Sequence, residues 1–277
     1  MSENENAYIK LFALNMGRNN KVDILSAKYP THAMTDDFRK RAKNFLLLDI
    51  ETVAAFPSYN DLPERMQKLW DKKATSLRKG DETISSADCF YDKGAIYSEF
   101  GKVVCIAFGA FYWNENDEMA FKVRSFSGDD EVELLQEFKA LVEKYPADQL
   151  VLCAHNGKEF DFPFLCRRML IHGISIPKAL QLTGKKPWEI LHQDTMELWK
   201  FGDYKSYTSL DLLAAVFDIP GSKNEMSGDQ VTRVYYEEND LAKICRYCRE
   251  DVVVMAQIYL KLNCFEMVDQ NNIVRVE

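Results

Sequence analysis

The apolar positions of this chain fall into short blocks, and the spacing within each block sets the element it predicts. Phe45-Leu46-Leu47-Leu48-Asp49-Ile50-Glu51 is an apolar run that takes in two acids, and it reads as a buried strand. Upstream, residues 1–43 are polar and irregular and close on the basic stretch Arg39-Lys40-Arg41-Ala42-Lys43. Residues 61–79 have a helical, solvent-facing pattern and 86–99 form a second helical stretch; together they make an insertion before the next strand. Two β-rich runs follow, Lys102–Trp113 and Met119–Phe126, and the polar turn Asn114–Glu118 between them predicts antiparallel pairing. Val132, Leu135, Phe138, Leu141 and Val142 recur at helical spacing within Asp129–Tyr145. Leu150–Ala154 reads as a strand, with a helix from about Phe160 to His172. Asp194–Phe201 and Ser209–Phe217 are short helix candidates, Ile219–Gly228 a loop, and Asn239–Leu262 a long amphipathic helix. A meander followed by alternating helices and strands predicts an α/β fold with a mixed sheet.

Length and composition fit one large core: 277 residues, 47% apolar and 12% aromatic, without internal repeats. No apolar run reaches the roughly 18 residues needed to span a bilayer. MSENENAYIK lacks the basic-then-apolar order of a secretory signal, so the expectation is a cytoplasmic protein without a membrane partner. The seven cysteines, at 89, 105, 153, 166, 245, 248 and 264, read as reduced and buried thiols. Cys245–Cys248 has CxxC spacing, but it falls within a helix and has no second pair or nearby histidines to complete a zinc site. The net charge of −8 argues weakly against tight, non-specific nucleic-acid binding. It does not exclude an enzyme that turns over nucleic acid, because metal-holding carboxylates count as negative until the metal binds.

The candidate chemistry lies in three places. Asp49 and Glu51 are two apart in a strand, so both side chains leave one face, where two ionised acids need a proton or a cation. The same Asp-x-Glu spacing recurs at Asp129–Glu131, at a helix start where acids serve as caps. Asn156-Gly-Lys-Glu-Phe160-Asp161 directly follows a strand, where ligands of α/β folds gather, although Asp161 equally suits a helix N-cap. Tyr247 and Asp251 are four apart, on one face of the long helix. Tyr-x-x-x-Asp also occurs at Tyr207–Asp211 and Tyr236–Asp240, but those two straddle loop-to-helix junctions where the Asp suits a cap or a first turn. Only Asp251 lies mid-helix beside an apolar run, where an acid is costly without a partner.

In this order the three motifs resemble the DEDDy branch of the DEDD exonucleases over about residues 44–265. The matching residues are Phe-Leu-Leu-Leu-Asp49-Ile-Glu51-Thr52, Ala-His-Asn156-Gly-Lys-Glu-Phe160-Asp161-Phe-Pro-Phe-Leu and Tyr247-x-x-x-Asp251. The second motif, with Ser209-Leu-Asp-Leu-Leu downstream, looks closest to the proofreading domain of family B DNA polymerases, here as a free-standing relative. The resemblance implies a ribonuclease H-like, mixed five-stranded sheet flanked by helices. The domain would span 44–265 with a helical insertion at about 56–100, between an extension at 1–43 and a tail at 266–277. It implies two Mg²⁺ or Mn²⁺ ions held by Asp49, Glu51, Asp161 and Asp251, about 3.5–4 Å apart. Asp49 would bridge them, and Tyr247 would orient the attacking water, since a phenol of ordinary pKa near 10 is a poor base. Thr52 and Asn156 would contact the terminal nucleotide and Phe160 would pack beside the site, against the plain alternatives of strand, turn and core residues.

Lys158, Arg167, Arg168, Lys205, Lys223 and Arg233 are candidate phosphate contacts, with solvated surface charge as the alternative; His155 and His192 read as structural. The expected activity is metal-dependent 3′→5′ hydrolysis of single-stranded nucleic acid, DNA ahead of RNA, because the motifs do not read the 2′-hydroxyl. The alternatives are an exoribonuclease of the same branch and a non-catalytic nucleic-acid-binding scaffold. A metal phosphatase would share the acids but explain neither Tyr247 nor Asn156.

Overall fold

The computed structural model describes residues 36–81, 83–203, 207–221 and 226–277. Strands β1 (Phe45–Ala54), β2 (Gly101–Trp113), β3 (Met119–Ser127), β4 (Val151–Ala154), β5 (Gln193–Asp194) and β6 (Ile273–Arg275) form one sheet in the order β5-β4-β1-β2-β3-β6. The meander β1-β2-β3 is antiparallel, while β4 pairs parallel to β1, β5 to β4 and β6 to β3. This is the mixed sheet of a ribonuclease H-like fold with six strands rather than five. The added β6 is drawn from the expected tail, where Ile273-Val274-Arg275 completes the free edge of β3.

Helices α1 (Asp36–Arg41), α2 (Glu64–Leu77), α3 (Ser86–Lys93), α4 (Glu131–Val142), α5 (Asp161–Ile171), α6 (Thr195–Lys200), α7 (Leu210–Val216), α8 (Val231–Arg233) and α9 (Leu241–Leu262) surround the sheet. The central helix is α9, which packs across β1, β2 and β3. Its apolar stripe includes Ile244, Cys248, Val252, Met255 and Tyr259, all buried at helical spacing. Asp240 starts it, accepting the backbone N–H of Lys243 at 2.8 Å.

Two expectations need correction. The extension is not wholly irregular: α1 buries Phe38, whose ring meets Phe111, Tyr259 and Phe265 in the main core. Nor do the insertion helices merely face solvent. Trp70, Ala74, Cys89, Phe90 and Phe100 close a second apolar cluster with Ala54 at the end of β1, and the Trp70 indole N–H donates to the Ser86 carbonyl at 2.8 Å. Burying a tryptophan that way fixes the insertion against the strand that carries Asp49 and Glu51.

Candidate metal centre

Asp49 and Glu51 pair across β1–β2 with Ala107 and Cys105, and the register shifts between Glu51 and Thr52. That bulge bends the strand just after the two acids. Asp161 is the first residue of α5, and its Oδ1 accepts the backbone N–H of Ile50 at 3.1 Å, between the two acids of β1. Gly157 permits this approach: a Cβ there would lie 2.2 Å from the Ala154 Cβ and 3.4 Å from Asp161 Oδ2. From the other side α9 brings Tyr247 and Asp251, both buried and one helical turn apart. Three elements distant in sequence thus bring their acids around one strand.

The electrostatics follow from that crowding. Asp49 is held well above the usual carboxylate range, first by desolvation and then by the charges of Glu51, Asp161 and Asp251. Burial and then Asp251 and Asp161 do the same to Glu51. Asp161 is raised to about 7, chiefly by burial, against the lowering effect of its backbone hydrogen bonds. Burial, Asp251, Glu51 and Asp49 raise the Tyr247 phenol far above its ordinary value, so it stays protonated and is a donor. Among the described residues, one donor atom each from Asp49, Glu51 and Cys248 lie within 4.8 Å of one another.

The remaining candidates divide. The Thr52 hydroxyl donates to the Ala95 carbonyl at 2.9 Å, which ties β1 to the insertion. Asn156 sits at φ 63° in the left-handed region, and its side-chain Oδ1 is buried with no hydrogen-bond partner among the described residues. Phe160 is half-buried, its ring 5.4 Å from that of Phe164. Arg168 is not a surface cation. It is buried, and its Nε and Nη2 grip both oxygens of Glu131, which also accepts the Val103 N–H at 2.8 Å. Glu131 is therefore a buried anchor rather than a cap, and the cap of α4 is Asp130. Lys158 pairs with Glu197 at 2.6 Å and Arg233 with Glu238 at 3.2 Å. Lys158 and the exposed Arg167 line one groove of about 780 Å³ along α5. Lys205, Lys223 and residues 1–35 lie outside the described residues.

His155 donates from Nε2 to the Thr208 carbonyl and meets Thr195 Oγ1 with Nδ1, each at 2.9 Å, as a satisfied strand-end histidine. Burial lowers its pKa. Five of the seven thiols are buried and all are free; Cys166 is half-buried and Cys264 is exposed.

One residue escaped the sequence reading. Asp194, fully enclosed at the start of α6, accepts the backbone N–H groups of Asn156, Lys158, Met196 and Glu197. It caps the helix and clamps the loop that carries Asn156 toward Asp161. The sequence signal was Asp194-Thr195 at a helix start, which marks a cap but not its second task.

A solved structure with the same fold is the family B DNA polymerase from the hyperthermophilic archaeon Pyrobaculum calidifontis. It matches with a TM-score of 0.50 at 15% identity over 79% of this chain and 24% of the polymerase. The chain therefore spans about a quarter of that protein's length, and the likeness concerns the fold. The RNase domain of the yeast Pop2 protein aligns over 86% of both chains at 12% identity with a TM-score of 0.31. A family described as predicted 3′-5′ exonuclease related to the exonuclease domain of PolB matches residues 96–275, which include Asn156, Asp161, Tyr247 and Asp251 and begin after Asp49 and Glu51. The chain belongs to that family of predicted 3′-5′ exonucleases.

Proposed function

We propose that the protein is a two-metal 3′→5′ exonuclease that releases nucleoside monophosphates from single-stranded DNA in the cytoplasm. The observation that carries this reading is the meeting of acids from β1, α5 and α9 around one strand, with Asp161 bonded to the backbone between Asp49 and Glu51. Buried like charges at that density need cations or protons. The donor set fits hard divalent ions, because carboxylate oxygens suit Mg²⁺ and Mn²⁺ and four acids balance two such ions.

Asp49, Glu51, Asp161 and Asp251 would hold the metals, with Asp49 shared. Bound there, the ions supply charge neutralisation at the phosphate and lower the pKa of the attacking water. The chain's own contribution is positioning. Tyr247, kept protonated by its acidic surroundings, orients the water through its hydroxyl rather than removing a proton. The Ile50 N–H fixes the Asp161 carboxylate. The buried, unpartnered Oδ1 of Asn156 supports a donor arriving with the terminal nucleotide, since an unmet buried acceptor costs roughly 1–3 kcal/mol. Thr52, its hydroxyl engaged by Ala95, would meet the nucleotide through its methyl group, and Phe160 would pack beside the base. The relation to polymerase exonuclease domains favours DNA over RNA, and free, mostly buried thiols fit a reducing compartment.

The test is digestion of 5′-labelled single-stranded DNA and RNA of one sequence in Mg²⁺ or Mn²⁺. Shortening from the 3′ end is expected, faster on DNA, and abolished by a chelator, by Asp49→Ala and by Asp251→Asn with far-UV circular dichroism unchanged. A folded protein that releases nothing from any 3′ end in Mn²⁺ would remove the reading, and faster cleavage of RNA would move it to an exoribonuclease.

A further inference from the structure

Glu131 and Arg168 form an ion pair outside the metal centre, and both are nearly sealed from solvent, at 6% and 7% exposure. Arg168 gives its Nε to one Glu131 oxygen at 2.9 Å and its Nη2 to the other at 2.5 Å, while its Nη1 donates to the Ser98 carbonyl at 2.9 Å. Glu131 also accepts the Val103 N–H at 2.8 Å, and His172 Nε2 stands 2.8 Å from its second oxygen. Burying such a pair is a poor way to gain stability, since apolar residues of similar volume commonly do as well. What the pair supplies is direction, because a bidentate guanidinium fork holds its partner in one geometry.

That direction is set toward the acids. Arg168 follows Asp161 by seven residues in α5, two helical turns and roughly 10 Å along the same face. A slide or roll of the helix at Arg168 is therefore carried to the Asp161 carboxylate. The other ends of the network meet β1 where its acids stand. Val103 pairs with Thr52, just past the bulge that follows Glu51, and Ser98 lies in the turn whose Ala95 carbonyl accepts the Thr52 hydroxyl. Asp161 is thus located twice against β1: directly at the Ile50 N–H, and two turns away through Arg168 and Glu131. We propose that Arg168 and Glu131 are positioning residues of the metal centre, which set α5 against β1 so that the Asp161 carboxylate stands with Asp49 and Glu51 to hold an ion. The placement rests on the hydrogen bonds, and what the ion then does rests on the exonuclease reading. The competing role is a salt bridge that only fastens α4 and α5 to the sheet.

Arg168→Lys keeps the charge and removes the fork, so it separates the two roles. Mn²⁺ affinity is read by calorimetry on the full chain, and Mn²⁺-supported cleavage of a labelled oligonucleotide gives kcat and KM. In folded Arg168→Lys the Mn²⁺ affinity should fall roughly 10–100-fold, the usual cost of a lost outer-shell partner, and kcat with it, while KM for the oligonucleotide holds. His192→Gln, destabilised away from the site, should keep its Mn²⁺ affinity. In an Asp161→Asn background Arg168→Lys should cost nothing further, because the carboxylate it places is already gone. Parent-like Mn²⁺ affinity in folded Arg168→Lys, or an equal further loss in the Asp161→Asn background, overturns the proposal. Should Arg168→Lys not fold, Glu131→Gln, which keeps an acceptor for the Val103 N–H, is read in the same way. A parent that binds Mn²⁺ and hydrolyses neither DNA nor RNA ends the nuclease reading, and the affinities still decide the positioning. A parent that cleaves, beside variants that bind and cleave equally well, ends the positioning and leaves the nuclease.

Discussion

Two residues show how differently a buried polar group serves in this molecule. Tyr247 is surrounded by acids that make its ionisation prohibitive, so removing only its hydroxyl tests positioning. Tyr247→Phe should keep Mn²⁺ affinity and lower kcat by roughly a hundredfold, the usual consequence of a misplaced reacting group. An unchanged kcat on a 3′-labelled substrate would take Tyr247 out of the chemistry. His192, in contrast, works for the fold. Its Nδ1 accepts the Leu152 N–H at 3.2 Å and its Nε2 donates to the Ala179 carbonyl at 2.8 Å, so only a neutral ring satisfies both. Burial lowers its pKa to about 4, and the unfolded chain, at an ordinary 6.5, takes the proton first. The stabilisation is therefore complete above pH 6.5 and is lost as pH falls to about 4, on the order of 3 kcal/mol in all. His155, lowered in the same direction, adds to that slope. His192→Gln should be less stable at pH 7 yet flatter over the acid window in urea unfolding. Equal acid limbs in the two proteins would mean that the proton goes elsewhere.

At the scale of elements, the site depends on loops being clamped. Asp194 accepts four backbone N–H groups, two from the loop that leads to Asp161 and two from its own helix. Asp194→Ala should cost roughly 2–4 kcal/mol, a lost cap plus unmet donors, and should lower activity beyond what stability explains. Asp194→Asn, which keeps one acceptor oxygen, should fall between; activity retained in a folded alanine variant would confine Asp194 to the fold. The same elements show what periodicity can and cannot read. β1, β2 and β3 were legible because each carries an apolar run closed by polar turn residues, and α9 because its stripe repeats at helical spacing over 22 residues. β5 has two residues and β6 has three, too few for any repeat to appear. They exist because the sheet edges offer partners. The core role of the insertion was hidden for a similar reason: Trp70 and Ala74 are the buried residues of a mostly polar helix, and what encloses them comes from α3, Phe100 and the end of β1. The acids were legible as motifs, since strand and helix spacing alone puts Asp49 with Glu51 and Tyr247 with Asp251. Their meeting with Asp161 was expected only through the family resemblance and not from spacing, because it depends on Gly157 and on the Ile50 N–H.

For the whole molecule the decisive quantity is charge in the wrong place. The chain carries −8 overall, and four of its acids crowd around the middle of β1, where bulk salt screens them poorly. The metal-free protein therefore carries a repulsion that unfolding relieves. A divalent ion that binds the folded state alone should stabilise it by about 2.7 kcal/mol at a hundredfold excess over Kd. For a domain of this size that corresponds to a rise in Tm of roughly 5–10 °C. Asp49→Asn separates repulsion from coordination, because it removes one charge and one ligand while keeping the shape. That variant should melt higher than its parent in chelator and should lose most of the rise on adding Mn²⁺. The crossing of the two responses is the signature of acids held together for a cation. If Mn²⁺ and Mg²⁺ leave Tm unmoved in the parent, and Asp49→Asn melts lower than the parent in chelator, the acids are held by protons and internal hydrogen bonds instead. The metal centre would then have no basis in the energetics of the fold.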